Sequence, residues 1–158
     1  MSAEASLVDS ALRLWKSNVE RAGQFFSSLT EEQLSQEIAP GRNRLLYLWG
    51  HLAAVNDAML PLLGFGDRLH PELDAMFLNN PDRAVKTVSA TELKRIWEEG
   101  TRKLDAAFAA LTAEQWLQRH TAVSEADFAR EPHRNRFAIL LSRAGHIAYH
   151  LGQTALAN

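Results

Sequence analysis

The chain holds six histidines and no cysteine. Two of the histidines, His146 and His150 in the stretch AGHIAYHLGQ, stand four residues apart. If this stretch is helical, that step leaves them about 40° apart around the axis and one turn along it. Two imidazoles presented in this way suit one metal ion, with a third ligand supplied by a facing helix. His51, in WGHLAAVND, is the candidate third ligand. Without cysteine there is no thiolate ligand, no protein thiol nucleophile and no disulfide framework.

Three neutral imidazoles would leave a divalent ion its full charge and at least one open position, as in catalytic rather than closed structural zinc sites. An open position lowers the pKa of a water or accepts an incoming thiolate. Any thiol must then belong to a cosubstrate. Tyr47 lies one turn before His51 and Arg143 two turns before His150. Both are candidates for binding an anionic substrate or polarising a leaving group, and both are also compatible with plain surface roles. Gln153 is a candidate partner for an imidazole N–H, as metal-bound histidines usually require. Asp57 is a weaker candidate, well around its helix from His51. His70, His120 and His133 lack ligand spacing and read as solvated loop residues.

The elements that must position these residues are helices. The first is expected from about Ser6, carrying Leu7, Ala11, Leu14, Trp15, Ala22, Phe25, Phe26 and Leu29 at helical spacing. The second runs from about Arg44 to Leu63, stopped by Gly64, with Pro61 predicting a kink or an earlier end. The third follows Ser89, which has capping-box spacing to Glu92. The fourth begins after Pro132 and continues nearly to the C-terminus. No period-two run marks a strand, so the fold class is all-α. Trp15, Trp49, Trp97 and Trp116 fall on or beside apolar stripes and read as core or interface residues.

The chain also repeats itself. LTEEQL (29–34) and LTAEQW (111–116) close the first and third helices, while PGRNR (40–44) and PHRNR (132–136) open the second and fourth. Thr30 and Thr112 read as N-caps of short turns. The shared order points to two related helical hairpins. Between them, residues 64–90 are too long for a tight turn, and 71–78 suggest a short helix. A long crossover between helices 2 and 3 predicts a four-helix bundle in up-down-down-up order. Antiparallel second and fourth helices bring His51 level with His146 and His150; parallel ones would leave them roughly 10 Å apart. The two P-x-R-N-R segments then lie at opposite ends.

One feature of the fourth helix opposes a metal site. Its apolar face is Phe137, Leu140, Leu141, Ala144, Ile147, Ala148 and Leu151, and His146 and His150 point nearly opposite, alongside Asn135, Arg143 and Gln153. Either the two histidines sit on a solvated polar face, or that face lines a polar cleft. His51 borders its own apolar stripe, beside Tyr47, Ala54 and Val55.

The 158 residues suit one domain, 1–158, with a core that needs no disulfide. A net charge of −2 without a dominant basic run argues against nucleic-acid binding. The N-terminus lacks a signal-peptide pattern and no apolar run reaches membrane-spanning length, so a cytoplasmic protein is expected. Broad apolar stripes on the first, second and fourth helices predict a homodimer.

The segments RNRLLYLWGHLAAVND…LLGFGDRLHPEL and RNRFAILLSRAGHIAYHLGQ together resemble the DinB/YfiT-like superfamily of bacterial metal-binding four-helix bundles. The Gly-His of the second helix and the H-x-x-x-H before Gly-Gln in the fourth carry the resemblance most specifically. It implies an up-down-down-up bundle whose three histidines hold zinc or nickel, often in a dimer. Carried onto this chain, the ligands fall on His51, His146 and His150. Family members include thiol-dependent S-transferases and a thiol-dependent isomerase. The implied function is a metal-dependent small-molecule enzyme of thiol S-transferase or hydrolase type, with a low-molecular-weight thiol as partner. The alternative is a metal-binding or stress-related bundle without turnover.

Overall fold

In the computed structural model, which describes residues 2–157, α1 (Ala3–Ser27) starts earlier than the expected Ser6. Ser2 causes the difference, since its hydroxyl accepts the Ala5 backbone N–H and satisfies a donor that an uncapped helix leaves free. After α1, Thr30 caps the single turn α2 (Glu31–Leu34) in a reciprocal box with Gln33. The chain then doubles back, and the Leu45 N–H donates to the Gln36 carbonyl at 2.9 Å as the next helix begins.

That helix is not continuous from 44 to 63. It divides into α3 (Leu45–Asp57) and α4 (Met59–Leu62). Pro61 is the reason: it has no N–H for the Asp57 carbonyl, and its ring crowds that carbonyl in a regular helix. At this break the Asp57 side-chain carboxylate accepts from the backbone N–H groups of Leu69 and His70 and from the Arg68 guanidinium. The crossover is thus tied down where it starts, and Arg68 extends the tie to Asp74. The short helix expected over 71–78 appears as α5 (Leu73–Phe77).

His70 is not the solvated residue its loop position suggested. It is buried, with Nδ1 3.1 Å from Glu72 and Nε2 3.0 Å from Glu99. Glu99 belongs to α6 (Ala90–Ala109), so His70 pins the crossover to the next long helix. His120 is buried too, its Nδ1 accepting the Ala122 N–H, whereas His133 is exposed. Ser89 caps α6 as expected, but Glu92 pairs with Arg95 instead of completing the box.

The second half follows the first. Thr112 and Gln115 form the same reciprocal box at α7 (Ala113–Trp116), and the Arg136 N–H reaches back to the Gln118 carbonyl at 2.9 Å. The second half adds α8 (Glu125–Arg130), capped by Ser124, which no hydrophobic stripe announces. α9 (Arg136–Thr154) is capped by Asn135. Its counterpart α3 lacks such a cap from its own flank. There Asp82, from the far end of the crossover, accepts the Arg44 N–H at 2.8 Å and its guanidinium at 2.7 Å.

No strand occurs among the described residues, and no helix is long and apolar enough to cross a membrane. The core is aromatic-rich: Trp15 meets Phe108 edge-on, and Phe26 stacks on Trp49. All four tryptophans are buried, as their stripes predict, the most exposed being Trp97 at 6%. Asn18 inside α1 donates to the Ala144 carbonyl at 2.9 Å and joins α1 to α9.

Burial pushes the Asp82 carboxyl up, but the Arg44 guanidinium and N–H outweigh it and hold the group below its usual range. A carboxyl with a depressed folded pKa adds stability that is present above its unfolded pKa and is lost as pH falls through the folded value. Asp82→Ala should therefore lower unfolding free energy by about 2 kcal/mol near neutral pH. Urea denaturation over a pH series should show the gap to wild type closing in acid.

Candidate metal centre

His51 is positioned from outside its own helix. Gly50 precedes it, and a Cβ there would lie 2.3 Å from the Phe77 ring, which is itself fully buried. Only glycine lets the end of α5 press this closely on α3. The close approach brings the Phe77 carbonyl 3.1 Å from His51 Nδ1. A carbonyl only accepts, so Nδ1 carries the proton and Nε2 presents a lone pair.

Tyr47, one turn earlier, serves the same attachment. Its ring meets Phe77 edge-on, and its hydroxyl donates to the Asn80 carbonyl at 2.7 Å. The structure thus gives the Tyr47 hydroxyl a partner in the 77–80 segment that anchors His51.

The fourth long helix resolves the objection raised by its apolar pattern. Leu140, Ala144, Ile147 and Thr154 are its buried residues, while Leu141 is 43% exposed and Ala148 faces outward. The buried face is rotated from the one expected. Arg143, His146, His150 and Gln153 consequently flank the core and are half-buried. His150 donates from Nδ1 to Gln153 Oε1 at 2.6 Å, which fixes its Nε2 as the free acceptor. Gln153 thus occupies the supporting position expected for it.

The three rings converge. His146 Nε2 lies 3.1 Å from His51 Nε2 and 3.0 Å from His150 Nε2. Tetrahedral zinc with nitrogens at about 2.0–2.1 Å would separate its ligands by about 3.3 Å. The observed spacing is a few tenths of an ångström tighter. Two of the facing nitrogens are lone pairs fixed by Phe77 and Gln153. His146 Nε2 carries at most one proton, so protein hydrogens alone satisfy only one of the two contacts. A cation placed among the three satisfies all of them, and the donor set fits a divalent ion. His146 Nδ1 is buried without a partner among the described residues, so packing alone holds this third ring.

Electrostatics favour neutral imidazoles. Burial lowers the pKa of His51 and of His150, and it pushes His146 down to about 4, with His150, His51 and Arg143 adding to the effect. Neutral histidine is the form that binds metal. Beside His150 opens a cavity of about 620 Å³, walled by Ile38, Leu48 and Tyr149 and reached by Arg42 and Gln153. Asp57 lies apart, engaged with Arg68.

The family model for the DinB superfamily matches residues 15–154. The chain belongs to the DinB superfamily. No curated protein matches it. The DinB match spans His51, His146, His150, Gly50 and Gln153, and so takes in the whole centre and its supports. The residue that sequence reasoning missed in this DinB protein is Phe77, which acts through a backbone carbonyl. The one signal for it was the glycine beside His51, read as part of a motif and not as the footprint of a ring.

Gly50→Ala would force the Phe77 ring out of its place. We expect a loss of about 1–3 kcal/mol in stability together with weaker divalent-ion binding. Denaturation and calorimetric titration should show both, whereas an ordinary packing defect far from the site would show only the first.

Proposed function

We propose that His51, His146 and His150 hold a divalent ion, zinc or nickel, and that the protein is a metal-dependent small-molecule enzyme of thiol S-transferase or hydrolase type. The observation carrying this reading is the convergence of three Nε2 atoms, two of them fixed from behind by Phe77 and Gln153. A bound ion would supply Lewis acidity and an open position for a thiolate or a water. The chain's own part is to hold the imidazoles neutral and oriented, and to offer a partly apolar cavity beside them. With no cysteine in the chain, a thiol substrate must come from solution. A low-molecular-weight thiol and a small electrophile fit that cavity in size.

The same reading places the site in an up-down-down-up four-helix bundle. Trp15 meets Phe108 while Gly23 meets Trp97, which fits reversed directions for α1 and α6. Trp49 shares a cleft with Lys94, and Asn56 shares one with Gly100, which fits parallel α3 and α6. Gly64 lies beside Arg136 at the start of α9, while Leu48 near the start of α3 shares a cavity with Leu156 beyond the end of α9. Such contacts support antiparallel α3 and α9, with the two P-x-R-N-R segments at opposite ends.

We further propose a homodimer. The crossover covers one side of α3 through α5, whereas α9, its counterpart in the repeat, keeps Leu141 and Tyr149 exposed. Leu7 and Leu14 are also exposed on α1, the helix against which α9 packs. Sedimentation at micromolar concentration should give twice the 17.7 kDa chain mass; a monomer would reject the dimer.

Calorimetry tests the metal site. Zinc or nickel at a hundredfold excess over its dissociation constant should stabilise wild type by about 2.7 kcal/mol. His150→Ala, which leaves the core stripe intact, should lose most of that gain and any thiol-transfer or hydrolytic activity. Equal stabilisation of mutant and wild type would remove His150 from the site.

A further inference from the structure

Arg143 is an anomaly beside this centre. Arg44 is neutralised by Asp82 and Arg68 by Asp57 and Asp74. Arg136, whose Nε is also buried without an acceptor, donates through its guanidinium to the Gln115 carbonyl at 3.3 Å. Arg143 is half-buried, and no ion-pair partner for it occurs among the described residues. Its Nε is buried with no hydrogen-bond acceptor. A buried N–H left without an acceptor costs free energy, and among the described residues Arg143 is the cation in this state that shares a helix face with His146 and His150.

Its position is also set by the repeat. His51 stands seven residues after Arg44, the last residue of PGRNR (51 − 44 = 7), and Arg143 stands seven after Arg136, the last residue of PHRNR (143 − 136 = 7). In the first hairpin this place holds a histidine of the centre, and in the second it holds an arginine. The two share one environment, for the charge of Arg143 acts on both His51 and His146. Among the described residues, no carboxylate acts on any of the three imidazoles.

We propose that Arg143 is a substrate-binding residue that takes an oxyanion, and that the site accepts small thiols carrying a carboxylate or similar group in addition to sulfur. This rests on the metal reading above. Three neutral imidazoles give a divalent ion no charge compensation, and Arg143 adds one more positive charge next to it. Such a centre selects anions twice over, a thiolate at the open position and an oxyanion at the planar guanidinium fork. Arg143 also repels the ion, so its two effects have opposite signs.

Cobalt(II) serves as a spectroscopic probe, with its affinity measured by chelator competition and thiol binding by the sulfur-to-cobalt absorption band. Matched pairs are titrated into cobalt-loaded protein: mercaptoacetate against 2-mercaptoethanol, and 3-mercaptopropionate against 3-mercaptopropanol. Wild type should prefer at least one acid over its neutral partner by about tenfold. Arg143→Gln should abolish that preference while binding cobalt more tightly, and Arg143→Lys should keep part of it. A residue that merely stabilised the fold would weaken both kinds of binding. The proposal falls if Arg143→Gln keeps the preference, if it weakens cobalt binding, or if it turns a dimer into a monomer. Failure of wild type to bind cobalt would overturn the metal reading and this proposal with it. Cobalt binding without any preference for the acids would overturn this proposal alone.

Discussion

The His146 Nε2 atom lies about 3 Å from two imidazole lone pairs, and the protein's own hydrogens satisfy only one of these contacts, so packing has to impose the arrangement unless a cation lies among the three. Each ring is held differently. His51 is fixed by a backbone carbonyl 26 residues downstream, which reaches it only because Gly50 gives room to the Phe77 ring. His150 is fixed by Gln153 one turn along its own helix. His146 is held by packing alone, and its pKa, driven down to about 4, reflects that confinement. The attachment of α5 to α3 is therefore the contact on which the centre depends.

The crossover explains how that contact is kept. Asp57, Arg68, Asp74, His70 and Glu99 anchor its beginning to α3 and α6, while Asp82 anchors its end to the first turn of α3. Between these ties lie Phe77, whose carbonyl holds His51, and Asn80, whose carbonyl takes the Tyr47 hydroxyl. A long connection costs little more closure entropy than a short one. Fastened at both ends, this one acts as part of the scaffold.

What the sequence disclosed follows from how local each cause is. The four long helices, the caps at Thr30, Ser89 and Thr112, and the break near Pro61 depend on neighbours within a few residues, and all were legible. That His51 lies level with His146 and His150 was legible through the repeat and the rise per residue. Their convergence followed only from the family resemblance, because the apolar pattern of the fourth helix turned the two histidines away. The buried face of α9 was misjudged, because hydrophobic periodicity cannot say which apolar residues a neighbour will cover; Leu141 and Ala148 match the stripe yet face outward. His70 was misread because its partners Glu72 and Glu99 come from separate elements. Phe77 was invisible, since a carbonyl acceptor has no side-chain signature.

The distribution of charge divides the molecule into two regimes. Carboxylates are spent on the scaffold, where Asp57, Asp74 and Asp82 neutralise Arg68 and Arg44 in settings that would otherwise strand a cation. Around the three imidazoles the arrangement reverses, and the charged neighbour is Arg143. A carboxylate there would hold a divalent ion more tightly, but it would reduce the positive field that draws an anionic ligand. Neutral ligands with an unneutralised arginine trade some metal affinity for attraction toward anions. On the functions proposed above, the hairpin repeat supplies two equivalent positions, 51 and 143, one of which would serve the ion and the other what binds to it.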